Sequence, residues 1–148
     1  MGIEISRDHF DPLDHERFAK RLREQLVALR ELLARPGFGE GPTSIGAELE
    51  VNLIDAEARP LFANAKVAAE ANDPRLTLEI DRFNLEINSH PVMLRGRSFR
   101  SLELELEEAM ANARRGAQRI GGRVVSVGIL PTLEPSDFGP SALSEGLR

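Results

Sequence analysis

The chain has no cysteine among its 148 residues, which excludes disulfides and thiolate metal sites and leaves any bound metal to hard oxygen ligands. No apolar run approaches the roughly 18–20 residues that span a bilayer. The start also lacks the charged-then-apolar layout of a secretory signal. A soluble, cytoplasmic protein without a membrane partner is expected. Lysine is nearly absent: Lys20 and Lys66 are the only two, and arginine supplies the rest of the 19 basic residues. Against 24 acidic residues this gives a formal net charge of -5. Phosphate binding needs a basic face, so a nucleic-acid partner is disfavoured and acidic groups facing a cation are the better expectation. There is no GxSxG, and the glycine-rich run GFGEGPTS lacks the lysine and the spacing of a phosphate-binding loop. The opening MGIEIS fits the loose N-myristoylation pattern through Gly2 and Ser6.

What is present is enough for one ordinary domain, with 41% hydrophobic residues to build a core. After Asp11-Pro12, the residues Phe18, Leu22, Leu26, Leu29 and Leu33 recur at helical spacing, which predicts an amphipathic helix that covers a sheet and ends at Pro36-Gly37. From Ser44 to Ile54 the pattern switches to period two. Ile45, Ala47, Leu49, Val51 and Leu53 share one face of the predicted strand, and Gly46, Glu48, Glu50 and Asn52 share the other. A short helix is expected over residues 64–72, stopped by Asp73-Pro74. A strand over 76–81 and another over 84–88 follow, the latter presenting Asn84, Glu86 and Asn88 opposite Leu85 and Ile87.

The stretch 98–120 contains LELELE, which alone reads as a strand, but the longer stripe Phe99, Leu102, Leu106, Ala109, Met110, Ala113, Ala117 and Ile120 predicts a helix. Ser98 is its expected cap and Gly121-Gly122 its stop. A β-rich run over 123–130 ends at Pro131. The division expected is an N-terminal helix with its connecting loop over 1–43, a main domain over 44–133 and an irregular tail over 134–148. The fold class is α+β, with helices packed on one face of a mainly antiparallel sheet.

Two carboxylates at i and i+2 on a strand lie on one face about 7 Å apart. Magnesium and manganese prefer carboxylate and water oxygens, so Glu48 and Glu50 form a sensible metal platform. A solvated strand edge, kept soluble by its acids, is the plain alternative. The second polar face, with Glu86 and with Glu79 and Asp81 nearby, strengthens the metal reading, because glutamates crowded together without a cation repel each other. His90, before Pro91, reads first as a hydrogen-bonding residue at a strand end and second as a ligand, while His9 and His15 read as surface residues. Arg82, Arg95, Arg97 and Arg100 either meet anionic substrate groups through their guanidinium forks or remain solvated loop charge.

The motifs GAELEVNLID, at Gly46–Asp55, and LEIDRFNLEINSHPV, at Leu78–Val92, resemble the opening signature of the glutamate-cysteine ligase family in its second, carboxylate-amine ligase branch. VSVGILPTL, at Val125–Leu133, resembles that family's next core strand. The resemblance implies a fold like the front part of a glutamine synthetase-like catalytic domain. It also implies ATP as co-substrate, Mg2+ or Mn2+ as the metal, and an amide formed through an acyl-phosphate, with glutamate as the carboxylate substrate. It makes Glu48, Glu50 and Glu86 the metal ligands, with Glu79, Asn88 and Arg82 as further metal or substrate contacts, and assigns no catalytic residue. Family members are usually much longer, so the chain is expected to be an N-terminal portion, inactive alone. The competing expectation is a non-catalytic module that forms a homo-oligomer or binds a partner through a sheet edge.

Overall fold

The computed structural model describes Arg7 and residues 9–144, and the chain divides into two compact units, Ile5–Thr43 and one beginning at Ser44. Gly2 and Ser6, which carry the lipidation pattern, lie outside the described residues. In the first unit, α1 spans Pro12–Leu33. Asp11 caps it: the Asp14 N–H donates to Asp11 Oδ1 at 2.9 Å and the Asp11 N–H donates to Asp14 Oδ2 at 3.2 Å, closing a reciprocal capping box. No residue of α1 is buried, so the stripe Phe18, Leu22, Leu26, Leu29 and Leu33 finds no cover within its own unit.

The second unit is an antiparallel sheet with two helices on one face. Its elements are β1 (Ser44–Ile45), β2 (Glu48–Ile54), α2 (Asn64–Ala71), β3 (Leu76–Leu78), β4 (Asn84–Asn88), β5 (Val92–Met93), α3 (Ser98–Arg119) and β6 (Arg123–Val125). Four strands pair in the order β3-β4-β2-β6, and β1 pairs with β5 in a separate ribbon. The single strand expected over 44–54 is therefore two. The Ala47 N–H turns to Ser89 Oγ at 2.7 Å and its carbonyl accepts the Ser89 N–H at 2.9 Å, and the chain changes partner from β5 to β4 across this joint.

The alternation read from the sequence sets the layers. Val51 and Leu53 of β2, Leu85 and Ile87 of β4, Leu76 and Val124 pack with Val67 of α2 and Ala109, Met110, Ala113 and Ala117 of α3 in one core. LELELE is helical, as the longer window predicts. Leu102 is buried and Leu106 packs on the core, while Leu104, on the far side of the helix, is 50% exposed. Ser98 is not the cap; Arg97 holds that position without a side-chain bond, and Ser98 is the buried first helical residue. Phe99 leaves the expected stripe for solvent at 69% exposure. A Cβ on Gly116 would lie 2.6 Å from the Val67 carbonyl oxygen, so glycine lets α3 and α2 touch backbone to backbone.

The run expected over 123–130 forms a ladder only as far as Val125. The cause is a buried amide: Asn52 Nδ2 donates to the Val127 carbonyl at 3.0 Å. Asn52 points to the polar face, so the bond draws the chain off the sheet edge and across that face. Beyond β6, the described part of the tail carries only two short 3-10 turns, Pro135–Asp137 and Pro140–Ala142, and side chains tie it down. Arg59 binds the Thr132 carbonyl at 2.8 Å, Glu134 at 2.9 Å and Asp137 at 3.1 Å. Leu143 bridges to Asp81 and Ser144 is buried. Among the described residues, no helix is long and apolar enough to cross a membrane.

Candidate metal centre

The polar face of the sheet carries the acidic residues singled out from the sequence, and strand register decides which of them meet. Glu50 lies directly opposite Glu86 across β2 and β4, and Glu86 lies opposite Thr77 across β4 and β3. Glu79 follows Thr77 by two residues. One carboxylate oxygen from each of Glu50, Glu79 and Glu86 falls within 4.8 Å of the other two. Glu48 is on the same face one step along β2, where its register partner is Asn88, and it stands outside this trio.

Two of the three carboxylates are held by neighbours. Thr77 Oγ1 donates to Glu86 Oε1 at 3.1 Å and Asn88 Nδ2 donates to the same oxygen at 2.6 Å. Asn88 Nδ2 also reaches Thr77 Oγ1 at 3.0 Å. Asn88 therefore orients Glu86 through its amide. The Ile80 N–H donates to Glu79 Oε2 at 3.0 Å, and the turn carrying Glu79 is fixed because its carbonyl accepts from Ser144 Oγ at 2.5 Å. Glu50 is exposed, and Glu79 and Glu86 are half-buried.

No family model, curated protein or solved structure matches this chain.

Three carboxylates meet the preference of a hard divalent cation for oxygen. The centre of an equilateral triangle at the 4.8 Å limit is about 2.8 Å from each corner, against bond lengths of about 2.3–2.6 Å for calcium and about 2.0–2.1 Å for magnesium. Small side-chain rotations close the difference, and the exposure of Glu50 leaves room for water in the remaining positions. The donor set fits a divalent cation.

Beside the trio is a depression of about 430 Å³, walled on the polar side by Glu50, Asn52, Glu79 and Asn84 and on the apolar side by Phe83, Leu130, Leu133 and Phe138. Leu130, Leu133 and Phe138 of that apolar wall come from the segment that leaves β6, which the Asn52–Val127 bond holds against the polar face, and Phe83 comes from the β3–β4 turn. Asn84 Nδ2 donates to Asn52 Oδ1 at 3.1 Å, which leaves both functional groups of the buried Asn52 amide engaged.

The basic residues are elsewhere. Arg82 donates to the Phe62 carbonyl at 3.1 Å and the Ser141 carbonyl at 3.2 Å, and so ties the β3–β4 turn to the chain on either side of it. Arg100 pairs with Glu103 at 2.6 Å, and Arg95 and Arg97 are exposed between β5 and α3. His90 acts as a hydrogen-bonding residue. Its N–H lies 3.0 Å and its Nδ1 2.5 Å from Glu105 Oε1, and the backbone bond is the chief reason the Glu105 carboxyl is held below its usual range. Thr77 was not singled out from the sequence, although its place two residues before Glu79 in the same alternation puts it on the polar face.

Proposed function

We propose that this chain carries the metal-holding face of a cytoplasmic, ATP-dependent carboxylate-amine ligase of glutamate-cysteine ligase type, built on a sheet like the front of a glutamine synthetase-like domain. The observation that supports this best is the convergence of Glu50, Glu79 and Glu86 from three stretches of backbone on one face of an antiparallel sheet. In this reading those three glutamates hold Mg2+ or Mn2+, and Glu48 and Asn88 lie one step along the same ladder. When bound, the metal offsets the charge of the triphosphate and of the transferring phosphoryl group. The chain's own residues orient the ligands: Thr77 and Asn88 fix Glu86, and the Ile80 amide fixes Glu79. The depression walled by Phe83, Leu130 and Phe138 places apolar surface beside the charged site.

Manganese titration followed by electron paramagnetic resonance tests the metal site. Glu50→Gln and Glu86→Gln are each expected to weaken binding at least about tenfold, or about 1.4 kcal/mol, while far-UV circular dichroism stays unchanged. Equal affinity in parent and variants overturns the reading.

A second reading, a non-catalytic module that pairs through a sheet edge, is favoured by one observation: β6 pairs with β2 only from Asn52 to Ile54. It predicts oligomerisation that a chelator leaves untouched.

A further inference from the structure

The depression beside the trio has a polar wall of acceptors. Asn52 Nδ2 donates to the Val127 carbonyl and Asn84 Nδ2 to Asn52 Oδ1, so both side-chain amide donors on this wall are engaged, while Asn84 Oδ1 has no donor among the described residues. Asp81 lines the same wall. Its carbonyl accepts from the Asn84 N–H at 2.9 Å and from Asn64 Nδ2 at 3.2 Å, but its half-buried carboxylate has neither a hydrogen bond nor an ion pair among the described residues. The neighbouring Arg82 gives no relief, because its guanidinium is spent on the Phe62 and Ser141 carbonyls. Among the described residues, no lysine, arginine or histidine lines the depression. The facing side is apolar and exposed: Ile80, Ile129 and Phe138 line it at 58%, 84% and 55% exposure.

We infer that the depression binds a primary amine carrying an apolar body, its ammonium at Asp81 and Asn84 Oδ1 and its body against Ile80, Leu130 and Phe138. The chemistry of the walls decides the class. An ammonium brings three donors to a wall of acceptors, and its charge offsets a carboxylate that has no other cation. An anionic ligand would meet Glu50, Glu79 and Asp81 together, like charge on like. A second hard metal ion fits poorly, because it needs several oxygens and the facing wall is hydrocarbon. The volume of about 430 Å³ lies within the range of small-molecule sites, about 300–1,000 Å³. As the amine that attacks the acyl-phosphate, this ligand rests on the ligase reading. As a bound ligand it does not, since Asp81 is no member of the metal trio.

Proton–nitrogen correlation spectra of the 15N-labelled full chain in EDTA test the inference, with phenethylamine, phenethyl alcohol, phenylpropionate and ethylamine as probes. Phenethylamine is expected to shift the Asp81, Asn84 and Phe138 amides saturably. Its affinity should exceed that of the alcohol at least about fivefold and that of ethylamine, which lacks the apolar body, at least about tenfold. Phenylpropionate should leave these amides unmoved. This series in the parent requires no variant to fold. Asp81→Asn keeps the shape and the backbone bonds of the turn and is expected to bring amine and alcohol to equal affinity, a change that a merely structural role would not produce. Equal affinity of amine and alcohol in the parent, shifts that fall elsewhere or not at all, or selectivity retained in Asp81→Asn overturns the inference. Manganese binding is measured apart, in buffer free of chelator: its absence from the parent with amine selectivity intact overturns the ligase reading alone.

Discussion

Replacing Asp73 with alanine removes a carboxylate whose side chain is only 3% exposed and which accepts four bonds. These come from the Arg75 N–H at 3.0 Å, Arg75 Nε at 2.9 Å, Arg75 Nη2 at 2.7 Å and Asn112 Nδ2 at 2.7 Å. Together they tie the turn after α2 to the middle of α3. Removing one partner of a buried pair costs about 3–5 kcal/mol. Arg75 keeps Glu108 at 3.0 Å, so the lower end, about 3 kcal/mol, applies. With a urea slope of about 1.5 kcal/mol per molar, the unfolding midpoint falls by about 2 M. The chain has no tryptophan, so far-UV circular dichroism is the natural probe.

The same variant carries a pH signature. Chiefly through the Arg75 side chain, and against the cost of burial, the Asp73 carboxyl is held well below the ordinary carboxylate range. A depressed folded-state value means that its stabilisation is full above the unfolded value of about 3.9 and drains away as the pH falls below it. The gap between parent and Asp73→Ala is therefore constant from pH 7 to about 5 and narrows below about 4. Midpoints within about 0.5 M of each other at pH 7, or a gap undiminished at pH 2.5, would refute this account of the turn.

Two further substitutions probe how the site's supports are built. Gly116→Ala gains about 1 kcal/mol of helix propensity, yet its methyl meets the Val67 carbonyl at 2.6 Å and the Ala71 nitrogen at 2.9 Å. The clash is expected to win, with a net loss of about 1–3 kcal/mol in urea unfolding. Arg59→Ala frees the segment 132–137 from three contacts and is expected to cost about 1–2 kcal/mol. It should also open cleavage by a protease near Glu134 while the sheet amides keep their protection.

The sheet's two faces were legible because period-two alternation is a local property of the chain. The placement of α3 was legible for a similar reason, since a 22-residue stripe outweighs a six-residue alternation. Membership of the trio was harder to read. Two residues along a strand are about 7 Å apart, whereas neighbours across strands are about 5 Å apart, so carboxylates meet across the ladder rather than along it. Glu50 and Glu86 face each other for that reason, and Glu48 stands aside. Glu79 arrives only because the chain turns tightly through Arg82 and Phe83, with the Asn84 N–H closing on the Asp81 carbonyl at 2.9 Å. The short β6 was invisible because its cause is one side chain 75 residues away, a distance over which sequence pattern carries no information.

Ser144 gives the site an order in time. A chain synthesised from its amino end exposes the β3–β4 hairpin, with Glu79 and Glu86 on it, long before the residue that secures its turn. The Ser144 N–H binds the Ile80 carbonyl at 2.8 Å and its hydroxyl binds the Glu79 carbonyl, across a separation of 65 residues. A nascent chain halted before Ser144 has made every carboxylate of the trio yet lacks the clasp that sets one of them. In the proposed reading, the trio is fully set only once Ser144 has folded back onto the Glu79 turn.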